Sequence, residues 1–122
     1  MVQVCMHGCG EIPPNERRPE CSCGSGLMYE PCVDFLGSIT ERDDMWRYQR
    51  LLPVKNIVSA GEGNTPIIFL ADLSKKLGIN LYAKLESTNP TGTFKDREAS
   101  FVVSRSLDVG DDNLVMQSTG NT

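Results

Sequence analysis

Long apolar runs are missing from this sequence. The longest stretches are of the kind Ile67-Ile68-Phe69-Leu70-Ala71, far short of the roughly 20 apolar residues that a spanning helix needs. No membrane span is therefore expected. An excess of basic charge is also missing: 12 Lys and Arg stand against 16 Asp and Glu, for a net charge of -4. The two signs are interspersed, as on an ordinary soluble surface, which excludes a nucleic-acid or membrane-surface partner recognised by a basic patch. The start, Met1-Val2-Gln3-Val4-Cys5, lacks the charged and apolar regions of a secretory signal, so a cytoplasmic location is expected. There is no internal repeat and no low-complexity tract. With 122 residues, 39% of them hydrophobic, the chain can form one small domain, at the lower end of the usual ~100–150 residues.

What the sequence does have is unevenly placed. All five cysteines fall between positions 5 and 32. An odd, clustered set in a reducing compartment points to a metal site, or the relic of one, rather than to disulfides. Cys5, Cys9, Cys21 and Cys23 are the candidate zinc ligands. Their spacing departs from the two-residue gap of ordinary zinc knuckles: three residues separate Cys5 from Cys9, and one separates Cys21 from Cys23. His7 is a substitute ligand, and Cys32 reads as a small buried side chain. Three regions follow from composition: a Cys-rich, zinc-ribbon-like module over 1–34, a connector over 35–60, and the start of an α/β domain over 61–122.

Within the connector, Met45 to Leu52 reads as a short helix stopped by Pro53. Gly61-Glu62-Gly63-Asn64-Thr65-Pro66 is a turn-rich loop. Ala71 to Leu77 fits a helix closed by Gly78. Leu81, Ala83 and Leu85 alternate with Tyr82, Lys84 and Glu86, as in a half-buried strand. Thr88 to Gly92 is a loop. A helix over 93–109 follows, with Thr93 as N-cap and Asp96 in the first turn. Ala99, Val102, Val103 and Leu107 share one face of it, and Gly110 ends it. Leu114-Val115-Met116 reads as another strand. The β-α-β order implies parallel strands joined by a right-handed crossover.

Lys95 stands in the first turn of the 93–109 helix, where unpaired amides carry partial positive charge. A cation is disfavoured there, which favours the amine as a nucleophile toward a carbonyl. By itself that position is also compatible with a solvated surface lysine.

The wider string is more specific. Lys84-Leu85-Glu86, then Asn89-Pro90-Thr91-Gly92-Thr93-Phe94-Lys95-Asp96-Arg97, then Ser118-Thr119-Gly120-Asn121-Thr122 resemble the cofactor-lysine segment and asparagine loop of the threonine synthase family. Gly61 to Pro66, Trp46-Arg47-Tyr48 with Leu51-Leu52-Pro53, and Cys9-Gly10 with Cys23-Gly24 resemble that family's upstream loop, connector and N-terminal knuckles. The resemblance runs through nearly the whole chain, in order. It implies an α/β, fold-type II (tryptophan synthase β-like) pyridoxal-phosphate enzyme, of which this chain is the N-terminal part. Lys95 would form a Schiff base with pyridoxal 5'-phosphate and later move protons on the substrate. Phe94 would pack near the cofactor ring, and Asn121 would bond its phenolic oxygen. Ser118, Thr119, Gly120, Asn121 and Thr122 would receive the substrate carboxylate, while Lys84 is a weaker candidate that reads as an exposed strand residue rather than a substrate contact. The implied reaction converts O-phosphohomoserine and water into threonine and phosphate. The implied partners are a small phosphorylated amino acid and other copies of the chain in a homo-oligomer.

Two departures bear on the substrate. Glu98 stands where threonine synthases usually place glycine, and Thr93 replaces the usual serine. The form Thr-Phe-Lys-Asp-Arg-Glu is closer to cysteate synthase, a relative that joins sulfite to the carbon skeleton of O-phosphoserine. The Gly-rich loop that grips the cofactor phosphate in this family is not in the sequence, so these 122 residues alone are expected to bind the cofactor poorly and turn over little. The reading from a different class is a zinc-knuckle interaction module with an α/β extension and no catalysis.

Overall fold

A computed structural model describes residues 2–13, 20–30, 37 and 39–117. Cys32, and the expected substrate loop Ser118, Thr119, Gly120, Asn121 and Thr122, lie outside them. The first region is a three-stranded antiparallel sheet of order β2-β1-β3, with β1 Val2–Cys5, β2 Glu11–Ile12 and β3 Leu27–Glu30. The register places Cys5 opposite Leu27 and Gln3 opposite both Ile12 and Tyr29. Two tight turns hang from this sheet. In one, Gly8 N donates to Cys5 O at 2.9 Å, and in the other Gly24 N donates to Cys21 O at 2.8 Å. Gly8 and Gly24 have φ values of 76° and 78°, the left-handed region that glycine enters without steric cost.

The second region begins with a 3-10 helix, Met45–Leu51, capped by the Asp44 carboxylate, which accepts from Trp46 N at 3.0 Å. Next come β4 Ile67–Phe69, α1 Ala71–Leu77, β5 Tyr82–Lys84 and α2 Lys95–Val109. Gly78 and Gly110 close the two helices in left-handed conformations, where the sequence puts those stops. Leu81, Ala83 and Leu85 are half-buried between exposed Tyr82 and Lys84, as the alternation predicts.

The strands flanking α1, a pair the sequence does not set out, are antiparallel, Ile67 facing Lys84 and Phe69 facing Tyr82. With only seven residues in α1, the chain folds back beside the strand it left instead of crossing over the sheet, and Leu70 N closes the return on Leu81 O at 2.9 Å. One expectation fails: Leu114-Val115-Met116 is not a strand, so the parallel partner expected for the 81–85 strand across α2 is not formed among the described residues. No neighbour among the described residues pairs with it, and Val115 is 96% exposed.

The buried face of α2 also differs from the apolar stripe. Ala99, Val102 and Val103 are half-buried and Leu107 is exposed, whereas Asp96, Ser100 and Ser104 are buried. Asp96, Ser100, Ser104 and Asp108 recur every four residues, one above the other along one side of the helix. Each fixes a connecting segment. Asp96 accepts from Thr91 N at 2.8 Å. Ser100 donates to Val58 O at 2.7 Å, and Ser104 accepts from Val58 N at 2.8 Å. Asp108 takes the amides of Lys55 and Asn56 at 2.5 and 2.9 Å. Small side chains let the 55–60 segment approach the helix closely, and its backbone groups are paired by that polar ladder, as buried backbone requires.

At the centre is Trp46, fully buried. Its Nε1 donates to Glu62 Oε1 at 2.8 Å and to Ser100 Oγ at 3.0 Å, which satisfies the polar edge of a ring that is otherwise apolar. Glu62 is 1% exposed. Burial alone would raise its pKa, but hydrogen bonds from Ser100, from its own and Ala60's amides, and from Ser59 outweigh that and hold the carboxyl below its usual range.

Candidate functional site

Lys95 opens α2, and its neighbours on both sides are locked. Asn89 is buried; its Oδ1 accepts from Gly63 N at 3.0 Å, and its Nδ2 donates to Glu86 O at 2.8 Å. Thr91 donates from its hydroxyl and its amide to Asp96. Arg97 grips Glu86 through two bonds of 2.9 Å, and Thr65 Oγ1 donates to the same carboxylate at 2.6 Å. Arg97 first, then Thr65 and Asn89, hold the Glu86 carboxyl down at about 2 despite its partial burial. The Asn89–Thr93 loop is thereby tied to the Gly61–Pro66 loop on one side and to the helix start on the other. Thr93 is not the N-cap as expected: the helix begins at Lys95 rather than 93, Phe94 holds the cap position without a side-chain bond, and Thr93 Oγ1 only accepts from Lys95 N at 3.3 Å.

Between these anchors the Lys95 side chain points outward. Its Nζ lies 2.6 Å from Glu98 Oε2 and 5.4 Å from the centroid of the Phe94 ring. Phe94 is exposed, so the aromatic sits under the amine rather than in the core. Glu98, flagged in the sequence as a departure, is the carboxylate on the candidate nucleophile. An exposed i,i+3 pair of this kind holds weakly, by a few tenths of a kcal/mol, and leaves the amine able to exchange partners. Lys84 lies apart, its Nζ donating to Thr65 O at 2.9 Å.

The four expected metal ligands are together. The sulfurs of Cys5, Cys9, Cys21 and Cys23 all lie within 4.8 Å of one another, and Cys5 and Cys23 are 3.6 Å apart. A tetrahedral zinc with Zn–S of about 2.3 Å sets its sulfurs about 3.8 Å apart, so this donor set fits the ion in number, chemistry and spacing. The unusual sequence gaps are absorbed by the two glycine turns. The His7 imidazole is not in the cluster; the residue contributes its amide, which donates to Cys5 Sγ at 3.4 Å. The Cys9 amide, more than any other group, lowers the Cys5 thiol to about 6, while sulfur–sulfur contact with Cys23 first and Cys5 next raises Cys9 to about 12. One thiol is thus ready to ionise, and its neighbours resist a second charge until a cation arrives.

Sequence reasoning passed over Glu62, Glu86, Asn89, Asp96 and Arg97 as framing residues. One signal was present: a connector tryptophan that is buried needs an acceptor for its N–H, and Glu62 in the turn-rich loop is that acceptor.

A family model described as pyridoxal-phosphate dependent enzyme matches residues 58–122. The chain belongs to that family. Its fold class is accordingly α/β of fold-type II, preceded by the cysteine cluster. Among curated relatives of the family, a threonine synthase from Methanocaldococcus jannaschii is 40% identical over 135 residues, covering 100% of this chain and 33% of its own. Threonine synthases from Bacillus sp. (strain ULM1) and Mycobacterium tuberculosis are 46% and 41% identical over 79 and 78 residues, each covering 62% of this chain and 22% of their own. The chain therefore spans a third or less of the length of these relatives. No solved structure matches it. Among the described residues, no helix is long and apolar enough to cross a membrane.

Proposed function

We propose that this chain supplies the cofactor lysine and the surrounding frame of a threonine synthase-like enzyme, acting on O-phosphohomoserine and water to give threonine and phosphate. The observation that carries the reading is Lys95 at the start of α2, with a hydrogen-bonded loop before it, Asp96 held by Thr91 and Arg97 by Glu86 after it, and an amine that reaches outward. The residues present fit pyridoxal phosphate in the one respect they display, an accessible primary amine held at a fixed helix start. Bound there, the cofactor would act as an electron sink for substrate carbanions. Lys95 would anchor it and then hold and return a proton at Nζ. Glu98 keeps a carboxylate within proton-transfer distance of that nitrogen. Asn89, Glu86 and Arg97 keep the helix start from shifting against the loop, which matters because about 1 Å of misplacement can cost on the order of a hundredfold in rate. Asn121, with the backbone and hydroxyls of Ser118 to Thr122, would complete the cofactor and substrate contacts.

The reading extends to the module over 1–34, where zinc would be held by Cys5, Cys9, Cys21 and Cys23, to the connector over 35–60 and the cofactor domain from 61, and to a cytoplasmic homo-oligomer. Glu98 on the Lys95 amine favours a second reading, a cysteate synthase that takes O-phosphoserine and sulfite.

Borohydride reduction of the protein incubated with pyridoxal phosphate, followed by peptide mapping, tests the assignment. Lys95 should carry the tag well above exposed Lys55, Lys75 and Lys76, and Lys95→Ala should lose it. Equal labelling of all four would remove the basis for the enzyme reading. A panel of phosphohomoserine against phosphoserine with sulfite then separates the two synthases.

A further inference from the structure

A pocket of about 290 Å³ opens between the 3-10 helix, the Gly61–Pro66 loop, β5 and the first turn of α2. Five of its lining residues are charged, and they fall into two classes. Asp44 and Glu86 are fully engaged by protein: Asp44 pairs with Arg42 and caps Trp46, and Glu86 takes Arg97, Thr65 and Asn89. That also occupies the third cation, Arg97. Arg47 and Lys84 are left without a carboxylate partner among the described residues. Lys84 uses one of its three donors on a neutral carbonyl, Thr65 O. The Arg47 guanidinium lies 5.8 Å from the Tyr48 ring centroid, and its Nε is buried with no hydrogen-bond partner. A buried, unpaired donor on a permanent cation is costly and calls for an acceptor. Asn64, also in the lining, has a φ of 45°, a strained conformation for a residue with a side chain.

We propose that this pocket binds a small oxyanion of the phosphate type, held by the Arg47 guanidinium and the Lys84 ammonium. Arg47 presents a planar fork suited to paired oxygens, and Lys84 adds a point charge. The volume lies just below the range of drug-sized pockets, which suits phosphate or a small phosphate monoester. The site is not the Lys95 site. Arg97, which lines the pocket, follows Lys95 by two residues, about 200° around the helix, while Lys95 turns to Glu98. The proposal therefore stands or falls independently of the cofactor assignment.

The test is a titration of this chain with inorganic phosphate, a phosphate monoester such as O-phosphoserine, and acetate. Ionic strength is held with chloride, and binding is read by calorimetry and by the amide shifts of Arg47, Tyr48 and Asn64. Phosphate or the monoester should bind, and preference between them identifies free phosphate or an organic phosphate as the source. Arg47→Met should weaken binding at least tenfold, and Lys84→Met severalfold. Lys55→Met and Lys95→Ala should leave it unchanged. Trp46 emission reports whether each variant is folded; if Arg47→Met is not, Arg47→Lys and Lys84→Met decide. Absence of binding to either phosphate, or acetate binding as tightly, overturns the proposal. Equal binding by all the variants means an adventitious ion only.

Discussion

The two regions of this molecule solve the same shortage in different ways. Among the described residues neither has a large apolar core: the buried hydrophobic ones are Cys5, Ile12 and Cys21 in the first, and Trp46 and Val54 in the second. The first region gathers four thiols at the end of a small sheet, a donor set that fits a cation. The second gathers carboxylates, hydroxyls and amides that pair with one another. The difference shows where each region is vulnerable. With the proposed zinc, the cysteine module depends on an ion that can be taken away, while the α/β segment depends on close backbone approaches that a single methyl group can block.

The largest expected effect is therefore metal removal. Structural zinc in small modules carries on the order of 10 kcal/mol of binding free energy that is also folding free energy. A strong chelator, or a thiol reagent that releases metal stoichiometrically, should unfold residues 2–30 while leaving Trp46 emission native. Cys5→Ser should do the same. A reduced, metal-supplemented preparation that contains no zinc, yet shows the 2–30 sheet by amide exchange, would remove the contrast between the regions.

The next effect is the converse, damage confined to the second region. Gly63 has a φ of 105°, and a Cβ there would sit 2.4 Å from Met45 N. The atoms it would meet are backbone atoms of Met45 and Asp44, so nothing nearby can swing aside. The same approach also carries the bond from Met45 N to Glu62 O at 2.8 Å, which fixes the start of the Trp46 helix. Gly63→Ala should cost about 3 kcal/mol or more, from strain and clash together, measured by urea unfolding followed at Trp46. Metal content should not change. A stability within a few tenths of a kcal/mol of the original would show that the loop yields and that the close approach is not required.

The contrast also explains what could be read in advance. Helix ends were legible because glycine signals them locally, at Gly78 and Gly110. The cysteine cluster was legible because few chemistries bring four thiols together. The face of α2 was not. Ser100 and Ser104 look like surface residues until their partners are known, and those partners, Val58 and Trp46, lie 42 to 54 residues away in sequence. The strand expected at Leu114-Val115-Met116 was misread for a related reason: an apolar triplet becomes a strand only where a neighbour pairs with it, and none among the described residues does. Lys95 was legible from its string of neighbours, but the groups that hold it, Glu86, Asn89 and Arg97, are polar residues whose pairing only the fold reveals.

The smallest expected effect concerns that frame. The Glu86 carboxyl is held at about 2 by Arg97 and its other donors, below its ordinary 4.5. Its folded-state pKa is depressed, so its contribution to stability is fully present above about pH 4.5 and is lost as pH falls toward 2. The side chains of the pair are 28% and 30% exposed, which limits the contribution to about 1 kcal/mol. The difference in unfolding free energy between the native chain and Glu86→Gln should accordingly be constant above pH 5 and shrink steadily below 4.5. The cysteine module, which has no such carboxylate in its cluster, should respond to acid instead through protonation of its thiolates and loss of metal. If Glu86→Gln tracks the native chain at every pH, the ion pair is only a surface contact. The tie between the two loops would then rest on Asn89, whose side chain bonds Gly63 N on one side and Glu86 O on the other, a link that does not titrate.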